Sequence, residues 1–242
     1  MLFLYALLGA RARLGRVGES AVDQPAEVSD WLQKLGITDR ATGQQQAAAS
    51  WDLLIRAGRR VLGTGMEYQV EHTVVSGFLA RAQGLHEGAV AAIHADNPYA
   101  AFTLVRAYAE NAAGILYVKD HREQLDKFWQ LDNYGVTIGK ITNYARSRFG
   151  GFQGIYDQLS QYAHPRALSI LATSKVVDST AIHWQSAPQF KSDSDALIAC
   201  AWVVELAHAT AYLLVEMAGE FGLLPSVEDE SAATGRADNA DS

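Results

Sequence analysis

The chain has 242 residues, of which 49% are hydrophobic and 19% are charged, and its formal net charge is −7. This composition is typical of a packed globular protein and excludes a wholly disordered chain; the length allows one large domain or two small ones, and we expect a single core. Residues 225–242 hold five acidic residues against one arginine. The remainder is nearly neutral, which predicts no broad basic face for a duplex DNA partner and leaves a local basic pocket open.

The start of the chain does not have the pattern of a secretory signal. Residues 1–10 are apolar and precede Arg11, Arg13 and Arg16, which reverses the charge order of a signal peptide. We interpret residues 1–10 as a helix that packs on the domain, or as a mistaken translational start. Cys200 is the only cysteine and lies in an apolar helical run, which predicts a buried thiol. These features predict a cytoplasmic protein.

The most apolar predicted helix covers residues 196–224. It is interrupted by Glu205, His208, Glu216 and Glu220, whereas a membrane span needs about 18 consecutive apolar residues. We therefore expect a buried core helix and no membrane partner.

The N-terminal part, residues 1–62, is predicted to form helices that pack on a bundle. A polar cap and Gly36 delimit one short helix. From residue 39 to 62, apolar residues recur at intervals of three and four, which predicts one amphipathic helix with its arginines on the solvated face.

The second part, residues 63–224, is predicted to be a helical bundle that self-associates. Short β-branched and aromatic runs at about residues 168–190 predict a small β-hairpin insert, and residues 225–242 are predicted to be a disordered acidic tail. The fold class is therefore all-α. Asn97 and Ser192 are predicted to cap two of the helices. The predicted helices cover residues 67–94, 98–119, 121–131, 137–149 and 196–224, and residues 156–164 are predicted to be the last two turns of another helix.

One predicted helix carries a polar stripe. Tyr156, Ser160 and His164 are spaced by four residues, so they share one helical face. Pro165 follows directly and disfavours the helical conformation at His164. The imidazole is therefore predicted at the end of the helix, where backbone carbonyls are unpaired.

A second helix supplies partners for this stripe. Arg106 and Glu110 lie four residues apart in a strongly apolar helix, and a buried charge is costly unless it is paired and hydrogen-bonded. We therefore predict an interior polar cluster, which is either a structural network that fixes how the helices register or an active site. Its predicted members are Arg106, Glu110, Tyr156, Ser160 and His164, with Glu205 as a further candidate.

No metal or cofactor is expected. Glu205 and His208 have the carboxylate–histidine spacing of di-iron bundles, but such sites need two copies and more carboxylates. The chain also lacks nucleotide-binding and zinc-finger motifs. The other histidines show no metal-ligand spacing, and most are predicted to be at the surface or partly buried. These are His72, His86, His94 and His121.

The two helices together resemble a known pattern. Leu-x-Arg-x-x-x-Glu from Leu104 is followed about fifty residues later by Tyr-x-x-Leu-Ser-x-x-x-His-Pro from Tyr156. This combination resembles a group of bacterial helical proteins that are similar, distantly, to the HEPN superfamily. The resemblance covers about residues 67–224.

The resemblance implies an up-and-down bundle, often dimeric, and in many members a metal-independent ribonuclease of bacterial defence systems. The HEPN motif has an arginine four to six residues before the histidine, and no arginine stands there before His164. The resemblance thus implies His164 as a general base, with Arg106 or Arg166 supplying positive charge. Other HEPN-like members are non-catalytic binding modules.

Three hypotheses of function follow. The first is an interaction module of bacterial stress or defence in which the polar cluster is structural. The second is the ribonuclease, with RNA as partner. The third is a small-ligand pocket lined by Tyr156, His164 and Trp184. An open cleft around His164 and Arg106, with basic residues such as Arg146 nearby, would favour the ribonuclease. Burial and full pairing of His164 and Arg106 would contradict it.

Overall fold

The computed structural model of the chain is mostly helical, which confirms the all-α prediction. It describes residues 30–63, 68–128, 135–149, 151–164, 169, 174–176, 182–184 and 186–224. The predicted N-terminal helix at residues 1–10, the predicted acidic tail at 225–242, and Arg166 lie outside these residues. The α-helices are α1 (Asp30–Lys34), α2 (Arg40–Ala49), α3 (Trp51–Val61), α4 (Val70–His94), α5 (Pro98–Asp120), α6 (Ile138–Arg148), α7 (Phe152–Ala163) and α8 (Asp193–Glu220).

Helices α5 and α8 form the centre of the protein. Helix α5 packs against α4, α6, α7 and α8, and α8 also packs against α2, α3 and α4. Because so many neighbours surround them, both helices are buried along most of their length, with Phe102, Tyr108 and Trp202 among the largest buried side chains. Leu32 and Leu54, from the N-terminal helices, belong to the same hydrophobic core.

Helix α8 is the one helix in the described part of the chain that is long and apolar enough to cross a membrane by length and composition. Its most apolar stretch has a mean hydropathy of 1.7, and 72% of that stretch is buried inside the protein. Because a core helix has the same properties, α8 is accounted for by its packing against α2, α3, α4 and α5.

The ends of several helices follow the predicted caps. The side chain of Asn97 accepts a hydrogen bond from the Ala100 amide at the start of α5, and Ser192 caps α8. Gly36 follows α1 with a φ of 71°, a conformation that glycine adopts without strain. His164 is extended, with φ −119° and ψ 154°, so α7 ends where the following proline predicts.

The single helix predicted at residues 39–62 is wrong. The chain forms two helices, α2 and α3, which meet at Ser50. The Ser50 hydroxyl donates to the Ala47 carbonyl at 2.7 Å, and a serine bonded to the local backbone competes with the helical pattern. The three arginines of α3 are exposed, as predicted.

The remaining elements are short. The helix predicted at residues 121–131 is a 3₁₀ helix at Arg122–Phe128, and residues 129–131 lie outside the described part. The predicted hairpin is confirmed: β1 (Ser174–Val176) pairs antiparallel with β2 (Ile182–Trp184), and Lys175 lies opposite His183.

Two histidines are deeply buried, which corrects the prediction of surface or partly buried positions. His72 is 6% exposed and His86 is 1% exposed. The Nε2 atom of His86 lies 2.9 Å from Ser50 Oγ. Since the Ser50 hydroxyl proton is already donated to Ala47, His86 Nε2 must be the donor. Burial lowers the pKa of His86 to about 4, so the ring is neutral in the folded protein.

We predict that His86 makes the protein sensitive to acid. Its ordinary pKa of 6.5 falls to about 4 on folding, so between these pH values the unfolded chain takes up a proton that the folded chain does not. The free energy of unfolding should therefore fall by about 3 kcal/mol from this group as the pH drops from 6.5 to 4.

The measurement is urea unfolding across that pH range for the wild type and for His86→Gln, which cannot titrate. His94→Gln is the matched control, because His94 is exposed on the same helix. Parallel pH profiles for wild type and His86→Gln would contradict the prediction.

Candidate functional site

The structure brings Arg106, Glu110, Tyr156 and His164 together, as predicted. Arg106 and Glu110 lie one turn apart on α5, and Tyr156 lies on α7. The Tyr156 hydroxyl donates to Glu110 Oε1 at 2.7 Å and accepts from Arg106 Nη2 at 2.8 Å. Arg106 Nη2 also lies 3.1 Å from Glu110 Oε1. We call these four residues the polar cluster.

His164 joins the cluster through Arg106. Its Nε2 atom lies 3.3 Å from Arg106 Nη1. Because a guanidinium only donates, a hydrogen bond between the two groups makes Nε2 the acceptor. The backbone carbonyl of His164 accepts from the Ser169 hydroxyl at 2.7 Å. This bond fixes the chain where it leaves α7.

The cluster is half-buried, which corrects the prediction of an interior cluster, because His164 lies at the end of α7 and is exposed to solvent. The side chains of Arg106 and Glu110 are 21% and 19% exposed, Tyr156 is 8% exposed, and His164 is exposed. Burial, together with the hydrogen bond to Glu110, raises the pKa of Tyr156, so the phenol keeps its proton. His164 is thus the exposed titratable group of the cluster, and it lies beside Arg106, Glu110 and Tyr156, which are paired and largely buried.

Two predicted candidates do not join the side-chain network. The Ser160 hydroxyl donates to the backbone carbonyl of Tyr156 at 2.7 Å, so it contacts its own helix. Glu205 accepts from Trp31 Nε1 at 2.6 Å, and its second carboxylate oxygen is buried with no hydrogen-bond partner among the described residues. Glu205 therefore lies on the side of α8 that faces α1, away from the polar cluster.

Arg146 is the residue that the predicted cluster omitted. Its Cζ atom lies 5.8 Å from the centre of the Tyr156 ring, compared with 5.0 Å for Arg106 Cζ. Within the described residues no carboxylate lies within 4.0 Å of Arg146; its Nη1 donates to Asn143 at 3.0 Å. The available signal was its place in the last turn of α6, just before the chain turns into α7.

Tyr156 also borders an apolar groove between α5, α7 and α8. The empty space of this groove, counted to its opening, is about 620 Å³. Its wall is formed by side chains of all three helices and by Phe149. Among them are Val105, Ala109, Phe152, Leu159, Trp202, Ala209 and Leu213. Tyr156 thus links the groove to the polar cluster.

Trp184 and Cys200 lie outside this region. Trp184 is 73% exposed on β2 and does not line the groove. Cys200 is buried, as predicted, and burial raises the pKa of its thiol to about 12. A thiol with this pKa is not a nucleophile at neutral pH. In the part of the chain that the structure describes, no three His, Cys, Asp or Glu side chains group as metal ligands.

Comparison of the chain with protein families, curated proteins and solved structures finds no match.

We predict that Glu205 destabilises the protein at neutral and higher pH. Burial raises its pKa from 4.5 to about 7, so between these values the unfolded chain releases a proton that the folded chain keeps. The free energy of unfolding should fall by about 3 kcal/mol from this group as the pH rises from 4.5 to above 7.

Glu205→Gln tests this, because glutamine still accepts from Trp31 and does not titrate. In denaturant unfolding at pH 5 and pH 8, the variant should gain stability relative to wild type only at pH 8. Glu87→Gln, an exposed position on α4, is the control. An equal difference at both pH values would show that Glu205 has an ordinary pKa.

Proposed function

We propose that the protein is a HEPN-like, metal-independent ribonuclease in which His164 is the general base and Arg106 supplies positive charge. The observation that carries the proposal is the 3.3 Å contact between Arg106 Nη1 and His164 Nε2. The helix of His164 has no arginine at the HEPN spacing. An arginine from α5 stands against the imidazole instead, and catalytic roles depend on such geometry rather than on sequence order.

The local charge supports an RNA phosphate as ligand. Arg106 and Arg146 bring two positive charges to the Tyr156 ring, and Glu110 is the carboxylate paired there. One positive charge is therefore in excess beside an exposed histidine. The chain as a whole is acidic, so this positive excess is a local feature.

The proposed chemistry is a transfer within the RNA. A ribose 2′-hydroxyl takes the place of Arg106 Nη1 at His164 Nε2. This nitrogen takes the hydroxyl proton, and the 2′-oxygen forms a bond to the adjacent phosphorus. The bond from phosphorus to the 5′-oxygen breaks, and that oxygen takes a proton from water. The products are a 2′,3′-cyclic phosphate and a 5′-hydroxyl.

The rest of the cluster would position the charge. Glu110 and Tyr156 hold Arg106 Nη2, which leaves Nη1 directed at His164. Once the 2′-hydroxyl has replaced Nη1 at His164, Nη1 donates to the phosphorane and stabilises its extra negative charge, while Glu110 and Tyr156 hold the guanidinium in place. The proposal includes the homodimer of bacterial defence that the HEPN resemblance implies and the cytoplasmic location that the sequence predicts.

A second candidate function is a non-catalytic interaction module. The observation that favours it is the burial of Arg106, Glu110 and Tyr156, because a paired, half-buried cluster also serves to join α5 to α7. In this case the partner is a protein, and His164 contributes to the fold alone.

The test is cleavage of a mixed RNA pool at neutral pH with a chelator present. Wild type should cleave, and His164→Ala should lose about 100-fold to 10,000-fold in rate, the usual contribution of a general base. The thermal midpoint should be unchanged, because His164 is exposed. His94→Ala, also at an exposed histidine, should cleave like wild type.

An absence of cleavage by wild type, together with a midpoint lowered by several degrees in His164→Ala, would favour the interaction module. Equal cleavage by wild type and His164→Ala would show that the activity comes from elsewhere.

A further inference from the structure

The apolar groove between α5, α7 and α8 has one charged edge. Tyr156 provides its ring to the wall of the groove and its hydroxyl to Arg106 and Glu110. Arg146 reaches the same ring. A molecule in the groove that touches Tyr156 therefore comes close to both arginines.

The charge at this edge is unbalanced. Arg106 is paired with Glu110, whereas Arg146 has no carboxylate within 4.0 Å among the described residues and its Nε atom is buried without a hydrogen-bond partner there. Arg146 is half-buried, so an anion beside it is partly shielded from water and is held more strongly than at a fully exposed site.

The groove itself is suited to an apolar chain. Its empty space, counted to its opening into solvent, is about 620 Å³. Its lining consists of aliphatic and aromatic side chains.

We propose that the groove binds an anionic amphiphile, with its apolar chain between α5, α7 and α8 and its negative head group beside Arg146. The apolar wall and the unpaired guanidinium at its edge each match one part of such a molecule. Binding at this site does not depend on catalysis and is measured without RNA. A failure to bind the amphiphile would therefore not bear on the ribonuclease proposal, and a failure to cleave RNA would not bear on this one.

The test measures the binding of decanoate to the full chain by isothermal titration calorimetry. Decanol has the same chain without the charge, and butyrate has the charge with a short chain. Wild type should bind decanoate at least about tenfold more tightly than either compound, since a charge-assisted contact and a buried chain each contribute that much.

Two variants separate the parts of the site. Arg146→Gln should bind decanoate no more tightly than decanol, with decanol binding unchanged. Ala209→Leu places a larger side chain in the wall of the groove and should weaken both ligands by about tenfold or more. Arg148→Gln, an exposed position two residues from Arg146, is the control and should bind like wild type.

Circular dichroism on the same samples shows whether each variant is folded, and sedimentation gives its oligomeric state. Absence of decanoate binding by folded wild type overturns the proposal, and so does equal binding by wild type and Arg146→Gln. A dimer of wild type that Ala209→Leu dissociates, without decanoate binding, would identify a second copy of the chain as the occupant and would also overturn it.

Discussion

The arrangement of the site depends on the ion pair between Arg106 and Glu110, bridged by the Tyr156 hydroxyl. Both charges belong to α5, the helix that packs against four others, so they cannot turn freely to water. Removing one partner of a buried pair typically costs about 3–5 kcal/mol when burial is complete, and less here because each side chain is about one-fifth exposed. Tyr156, on α7, forms hydrogen bonds with both charged groups. These bonds fix how α7 packs on α5.

The consequences of this constraint appear at both sides of Tyr156. On one side, α7 ends with His164 against Arg106, which places an exposed imidazole beside a fixed guanidinium. On the other side, α7 stands away from α8 far enough to leave the apolar groove. The ribonuclease proposal concerns the first side and the amphiphile proposal concerns the second, and Arg146 is close to both.

Sequence analysis predicted the charged residues that need a partner because their helix is buried. It missed the contacts that depend on how helices distant in sequence pack together. Arg106 and Glu110 had to be paired because their helix is apolar, and the spacing of Tyr156 and His164 offered the partners. The bond between Glu205 and Trp31 depends on how α1 docks, which no local pattern encodes.

The same distinction holds for the fold. Caps such as Asn97 and the terminating proline after His164 act within a few residues, so the start of α5 and the C-terminal end of α7 were predicted. Ser50, where α2 and α3 meet, is hydrogen-bonded to the buried His86 of α4. The helix break at Ser50 and the burial of His86 are therefore parts of one contact. Such a contact is visible only once the helices are assembled.

The most direct test of the account is a double-mutant cycle of Arg106→Gln and Tyr156→Phe, measured as free energies of unfolding at neutral pH. If the bridged ion pair joins α5 to α7, the two changes should be coupled by about 1–3 kcal/mol. Additive effects, within about 0.5 kcal/mol, would contradict the central role given to the polar cluster.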